Sequence, residues 1–219
     1  MIRARSIEHT WRDASREVRC LNGLDLELEA GEFCCLRGVS GSGKTTLLLA
    51  LGGMLRPTEG SVQIGDEDLY SLSSGARARA RAREIGFVFQ MFHLVPYLTA
   101  RENLLAVRSK LGKPAREARA DELLESVGLT DRADHRPAAL SAGERQRVAV
   151  CRALFNNPTL VLADEPTGNL DPDSAAVVLD LLTQYTAQGG VVLMATHSGT
   201  PESRASRTLW LREGTLHTT

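Results

Sequence analysis

Gly38-Val-Ser-Gly-Ser-Gly43-Lys44-Thr45 sets two glycines, separated by four residues, ahead of a lysine and a hydroxyl residue. Glycines at this spacing let backbone N–H groups turn inward around the β- and γ-phosphates of a nucleotide, so Gly38, Ser40, Gly41, Ser42 and Gly43 are candidate phosphate contacts. Lys44 would neutralise phosphate charge, Thr45 would offer its hydroxyl to magnesium, and a helix opening near Thr46 would turn its positive end toward the same anion. Further on, Leu160-Val-Leu-Ala-Asp164-Glu165 ends four apolar residues in two carboxylates, as the carboxyl end of a buried strand facing a nucleotide crevice should. Asp164 is suited to hold magnesium, directly or through water. Glu165 is then the candidate general base, or the group that orients a water for attack on the γ-phosphate. The competing account is a glycine-rich turn and, separately, a strand ending in two solvated acids.

These residues need a strand before the loop, a helix after it and a second buried strand beside the first. The sequence supplies them. Short alternating or apolar runs at Ile2–Thr10, Leu24–Glu29, Phe33–Arg37, Ser61–Ile64 and Ile85–Phe89 predict strands, and Thr46–Leu55 predicts the helix. From Thr99 the pattern turns helical: Thr99-Ala-Arg-Glu102 is a capping box, and Pro114–Val127 closes on Gly128. After Pro158, Leu160–Ala163 and Val191–Thr196 flank a helical stretch, Asp173–Gln188. That is a β-α-β unit, which implies parallel strands in a buried sheet. The repeat Ala76-Arg-Ala-Arg-Ala-Arg-Ala-Arg83 predicts a helix with Arg77 and Arg81 on one face and Arg79 and Arg83 on the other.

Composition narrows the function classes. In 219 residues, 26 basic side chains nearly balance 27 acidic ones, so no global field favours nucleic acid. Arg3, Arg5, Glu8 and His9 occupy the place where a signal peptide needs an apolar core, and the longest apolar stretches fall well short of the ~20 residues of a membrane span. Cys20, Cys34, Cys35 and Cys151 lack metal-type spacing and are expected to be reduced thiols, with Cys34 and Cys35 in a buried strand.

Leu140-Ser-Ala-Gly-Glu-Arg-Gln-Arg147 resembles the signature motif of ABC-type ATPases, and nearly the whole chain reads against that family. The resemblance implies an α/β P-loop NTPase fold with a RecA-like parallel core, an antiparallel N-terminal β subdomain and a helical subdomain. One ATPase domain would span 1–219, with 91–157 as the helical part and 1–90 and 158–219 as the core. Gln90 matches the Q-loop glutamine, a catalytic and metal contact in such proteins; Gly168-Asn-Leu-Asp171 resembles the D-loop; His197 matches the switch histidine. The same likeness gives Lys44 and Glu165 catalytic roles, and sets Trp11 where an aromatic ring stacks on adenine, with Val18 and Cys20 beside it. Ser141 and Glu144 form a capping box, so the helix they open has free N–H groups. In the family, Ser141, Gly143 and Glu144, with Asp171, meet ATP bound on a second subunit, which implies a head-to-tail homodimer holding ATP and Mg2+. Three positions depart from the pattern: Ala142 for the first of two glycines, Glu144 where many members have Gln, and Ser198 where Asp is usual.

His135–Arg147, Asn156-Asn-Pro158 and Ala163–Asp171 are most similar to lipoprotein-releasing and macrolide-exporting ATPases. That branch implies a cytoplasmic subunit bound to the inner membrane through a separate permease, closing on ATP to drive export or lipoprotein release. Two other readings stand beside it: a regulatory ATPase of the cell-division type, and a DNA-repair or chromosome-type ATPase, for which long heptad insertions or zinc motifs are expected and not found. The apolar segment Met91–Tyr97 is expected to dock the permease through Phe92, Leu94 and Tyr97, or else to pin the helical part to the core.

Overall fold

The computed structural model describes residues 1–13, 16–197 and 203–218. Among them the chain forms two sheets. β1 (Ile2–Asp13) and β2 (Arg16–Leu28) make a long antiparallel ribbon that β4 (Glu59–Ile64) and β5 (Glu67–Asp68) extend in the order β2-β1-β4-β5. The second sheet contains β3 (Phe33–Arg37), β6 (Ile85–Val88), β7 (Leu160–Asp164), β8 (Val191–Ala195), β9 (Arg207–Arg212) and β10 (Thr215–Thr218), in the order β10-β9-β3-β8-β7-β6. Its strands run parallel except for β10, which pairs antiparallel with β9 at the edge. β7 and β8 are unbroken apolar runs because both faces of a parallel sheet are covered.

The two faces have separate cores. Under one lie α1 (Lys44–Leu51) and the antiparallel sheet, sealed by Leu36, Leu47, Leu48 and Ile7. Over the other pack α3 (Ala100–Leu105), α4 (Lys113–Ser126), α5 (Ala142–Leu154) and α6 (Pro172–Ala187), through Leu104, Leu124, Val148 and Leu182. Strand alternation sends the adjacent Cys34 and Cys35 into opposite cores, both fully buried thiols outside any disulfide. Burial pushes the Cys34 and Cys151 thiols up to about 12, so neither is reactive at neutral pH.

The boundaries of β3 fall where the sequence pattern puts them, and the capping boxes at Thr99 and Ser141 both form. α4 and α6 are each one residue off the expected start and end. Helix α1 begins at Lys44 and stops at Leu51, short of Leu55, because Gly52 and the left-handed Gly53 end it. Larger differences lie at β2 and in strands the pattern did not mark, the short β5 and the β9–β10 pair. β2 begins at Arg16 rather than near Leu24, its first half being a half-exposed ribbon in which Glu17, Val18 and Arg19 all face water. The β9–β10 hairpin is an addition, closed by Glu213 and Gly214 with positive φ of 49° and 76°. No helix among the described residues is long and apolar enough to cross a membrane.

Helix α2 (Ser74–Glu84) carries the Ala-Arg repeat, and its two arginine faces do have different fates. Arg77 lies over the Tyr70 ring and donates to the Leu72 carbonyl, while Arg81 donates to Gly53, so this face packs on the core. Arg79 and Arg83 remain exposed on the other.

Candidate functional site

The carboxyl ends of β3 and β7 open into a cleft of about 350 Å3 lined by Trp11, Val18, Cys20, Ser40, Gly41, Gly43, Lys44, Thr45, Thr46, Gln90, Asp164 and Glu165. Residues expected to act on one ligand from positions far apart in the chain therefore share one wall.

The loop after β3 owes its shape to packing as much as to any ligand. A Cβ on Gly38 would lie 2.5 Å from Ser42 Oγ and 2.6 Å from the Leu211 carbonyl, and one on Gly43 would lie 2.7 Å from the Cys20 carbonyl. Gly43 also holds φ at 102°, open only to glycine at low cost. Gly41, with φ at 78°, faces open space. Helix α1 starts without a side-chain cap and without an acid in its first turn, leaving its N–H groups and positive end to the cleft. Lys44 Nζ folds back to donate to the carbonyls of Gly38 at 2.8 Å and Val39 at 3.2 Å. Ser42 Oγ is buried beneath this loop with no hydrogen-bond partner among the described residues. An uncapped helix end, a lysine and an orphaned hydroxyl around an open turn fit a phosphate chain.

Opposite the loop, Thr45 Oγ1 donates to Asp164 Oδ2 at 2.7 Å. Burial raises the Asp164 carboxyl above its ordinary value, with the Glu165 charge adding to the rise and the Thr45 hydrogen bond and Lys44 opposing it. A hydroxyl and a carboxylate in contact are a hard-oxygen pair that suits Mg2+, which characteristically completes its shell with water and substrate phosphate rather than an all-protein cage. No cluster of three His, Cys, Asp or Glu side chains suited to a metal occurs among the described residues.

Glu165 sits at φ 49°, its N–H donating to the Ala195 carbonyl, so the peptide is tied to the end of β8. Its carboxylate lies 2.9 Å from His197 Nδ1 and accepts the His197 N–H at 3.4 Å. The imidazole itself is largely exposed, outside the residues that line the cleft. Arg37, which the sequence reading passed over, holds this corner from behind: it lies over the Trp210 ring at 4.7 Å and donates to the His197 carbonyl at 3.3 Å. No motif marks it; it is simply the last residue of β3. Ser198 lies outside the described residues.

Trp11 is half exposed at the rim, cross-strand from the exposed Val18, with its ring edge-on to His9 at 4.8 Å. It is therefore not a core residue, and its indole is accessible from the cleft.

Ser141, Gly143, Glu144 and Asp171 do not line this cleft. Ser141 and Glu144 exchange hydrogen bonds of 3.1 and 2.7 Å at the start of α5, and Arg132 adds a contact of 3.3 Å to Glu144. The Ser141 backbone N–H is the main cause that lowers the Glu144 carboxyl. Asp171 is exposed and caps α6 by accepting the Ser174 N–H. Gly143 is buried, and a Cβ on it would lie 2.3 Å from Ser174 Oγ, so its glycine is required by helix–helix contact within this chain. Ala142 is half buried in the first turn.

Residues 21–168 match the ABC transporter family. The lipoprotein-releasing system ATP-binding protein LolD 1 of Caulobacter vibrioides is 46% identical over 99% of this chain and 94% of its own length. The macrolide export ATP-binding/permease protein MacB 2 of Aeromonas hydrophila is 40% identical over 98% of this chain, which spans only 33% of that longer protein. Among solved structures, the dimeric post-hydrolysis state of the ATP-binding cassette MJ0796 bound to ADP and Pi superposes with a TM-score of 0.92 at 34% identity, covering 100% of this chain and 98% of the other. The chain belongs to the ABC transporter family, as an ATP-binding ATPase subunit.

Proposed function

We propose that this protein is the ATP-hydrolysing subunit of a bacterial transporter that exports cargo or releases lipoproteins through a separate membrane permease. It would work as one ATPase domain with residues 91–157 as its helical part, at the cytoplasmic face of the inner membrane. The observation that carries the reading is the meeting of Lys44, Thr45, Asp164 and Glu165 in one cleft with Trp11 at its rim. Thr45 and Asp164 would hold Mg2+, with Gln90 near it; the ion would screen phosphate charge. Gly38, Ser40, Gly41, Ser42, Gly43, Lys44 and Thr46 would bind the phosphates, and Trp11 with Val18 would bind adenine. Glu165 would accept the proton of the attacking water, and His197, 2.9 Å from it, would orient that carboxylate.

Ser141, Gly143, Glu144 and Asp171 lie outside the cleft, which supports their acting on nucleotide held by a second copy in the head-to-tail homodimer that the family resemblance implies; MJ0796 is itself dimeric. The segment after Gln90 bears on the permease. Leu94 packs into the helical core and Phe92 is half buried beneath Arg145, whereas Met91 and Tyr97 are each 71% exposed. We therefore assign permease docking to Met91 and Tyr97 and anchoring to Phe92 and Leu94. The test is co-purification with the membrane subunit encoded beside the gene: Tyr97→Asp with Met91→Asp should abolish it while ATP hydrolysis by the isolated subunit survives. Full retention of the partner by this variant would remove the docking assignment. The resemblance to LolD 1 and MacB 2 favours transport over the cell-division reading.

A further inference from the structure

Strand β3 buries Phe33, Cys34, Cys35 and Leu36 in succession and then ends on a charged residue, Arg37. A methionine or leucine would cover the same half-buried surface with no charge to solvate, so an arginine here calls for partners that use its donors. It has them. Arg37 stands directly across from Trp210 on β9, and its guanidinium lies over that ring at 4.7 Å, with Arg212 over the same ring at 5.2 Å. A planar cation on an aromatic face keeps the N–H groups at its edge free to donate sideways. One of them reaches the His197 carbonyl at 3.3 Å.

That bond lands where the sheet runs out. β8 ends at Ala195, and the segment after it is held from two sides. On the β3 side, the Thr196 N–H donates to the Leu36 carbonyl at 3.1 Å. On the β7 side, the Glu165 N–H donates to the Ala195 carbonyl at 2.9 Å, and the Glu165 carboxylate accepts the His197 N–H at 3.4 Å. Because β3 turns into the phosphate loop at Gly38, the Arg37 side chain takes over from the backbone on that side when the segment reaches His197. The His197 side chain is 67% exposed, so packing does little to orient it and its direction follows from its peptide.

We propose that Arg37 is a positioning residue for ATP hydrolysis. Held on Trp210, the guanidinium fixes the His197 peptide, and with it the imidazole and the N–H that steer the Glu165 carboxylate toward the attacking water. The inference rests on the roles given above to Glu165 and His197 and adds the residue behind them. The plainer alternative is that Arg37 only stitches β3 to β9 by packing on Trp210. A packing role would lower the melting temperature and leave kcat alone.

Steady-state hydrolysis by the full chain, with ATP affinity and melting temperature measured beside it, separates the two. Arg37→Met should lower kcat roughly 10–100-fold, the scale of a misplaced reacting group, with ATP affinity within about twofold of wild type. Arg37→Lys, which keeps the charge and a donor but loses the planar stacking, should recover part of the loss. Trp210→Leu removes the platform and keeps the guanidinium, so it should lower kcat by a smaller factor, and it carries the test if Arg37→Met does not fold. The decisive arm is the His197→Ala background, read by single-turnover phosphate release. There the imidazole is already gone, so Arg37→Met should cost less than about threefold further. Equal losses in the two backgrounds, or a folded Arg37→Met with wild-type kcat, would overturn the proposal and leave the hydrolytic reading standing. Wild-type turnover by His197→Ala would overturn both.

Discussion

Glu165 and His197 are joined twice, once through the imidazole Nδ1 at 2.9 Å from Oε1 and once through the His197 backbone N–H at 3.4 Å from Oε2. The side chain from the end of β7 is thus steered by the residue that follows β8. Neighbouring parallel strands bring together groups 32 positions apart in the chain. This is why the carboxylate points along the edge of the cleft rather than into solvent.

Trp11 is expected to contribute by stacking alone. Trp11→Ala should weaken nucleotide binding by roughly 1–3 kcal/mol, the range for stacking a base on an aromatic ring, with ATP and GTP affected alike because every base has a π-face. Trp11→Phe should restore most of the affinity. Calorimetric titration distinguishes this from a structural role, in which Ala would lower the melting temperature without changing affinity.

Asp164 costs the nucleotide-free protein stability. Its folded carboxyl is raised above the unfolded value by burial, so its favourable contribution is full below the unfolded carboxylate range and is lost as pH rises through the folded value. Asp164→Asn should therefore melt higher than wild type at neutral pH, with the gap closing in acid, and should no longer gain stability from Mg2+ with ATP. A lower melting temperature for the apo variant at pH 7 would refute this.

Within the single chain, Gly143 rather than Ala142 is the signature position under steric constraint. Gly143→Ala sets a methyl 2.3 Å from Ser174 Oγ and should destabilise by about 1–3 kcal/mol as α6 shifts. Ser174→Gly should recover part of that loss in the double variant. Ala142→Gly should weaken the helix start by up to ~1 kcal/mol while lowering the ATP concentration needed for half-maximal turnover.

Arg152 clamps the segment after Gln90. Arg152→Gln removes charged donors from two carbonyls, at a cost of about 1.5–3 kcal/mol each in the upper case, and should raise hydrogen exchange across residues 91–97 before the rest of the protein. Unchanged exchange there would show that cation–π packing of Phe92 against Arg145 suffices.

Much of this was legible in the sequence, and for definite reasons. Strands β3, β7 and β8 are read from apolar runs, and the cleft residues from a glycine spacing suited to backbone cradling of phosphate. The first half of β2 was not legible because it is a solvated ribbon without an apolar face, and β9–β10 was passed over although Leu209, Leu211 and the turn at Gly214 carried the signal. Arg37 and Arg152 act through backbone carbonyls of distant residues, so no local pattern could reveal them. The inward packing of Arg77 and Arg81 is likewise invisible without Tyr70 and Gly53 beside them.

The central claim is that Glu165 carries proton transfer in a cleft that otherwise binds ATP unaided. Phosphate release by Glu165→Gln, measured at saturating ATP and Mg2+ beside a direct measurement of ATP affinity, tests it most directly. The account predicts affinity equal to wild type and turnover lower by roughly 10²–10⁴-fold, because the amide keeps the shape and cannot accept a proton. Phosphate release near the wild-type rate with ATP bound would contradict it.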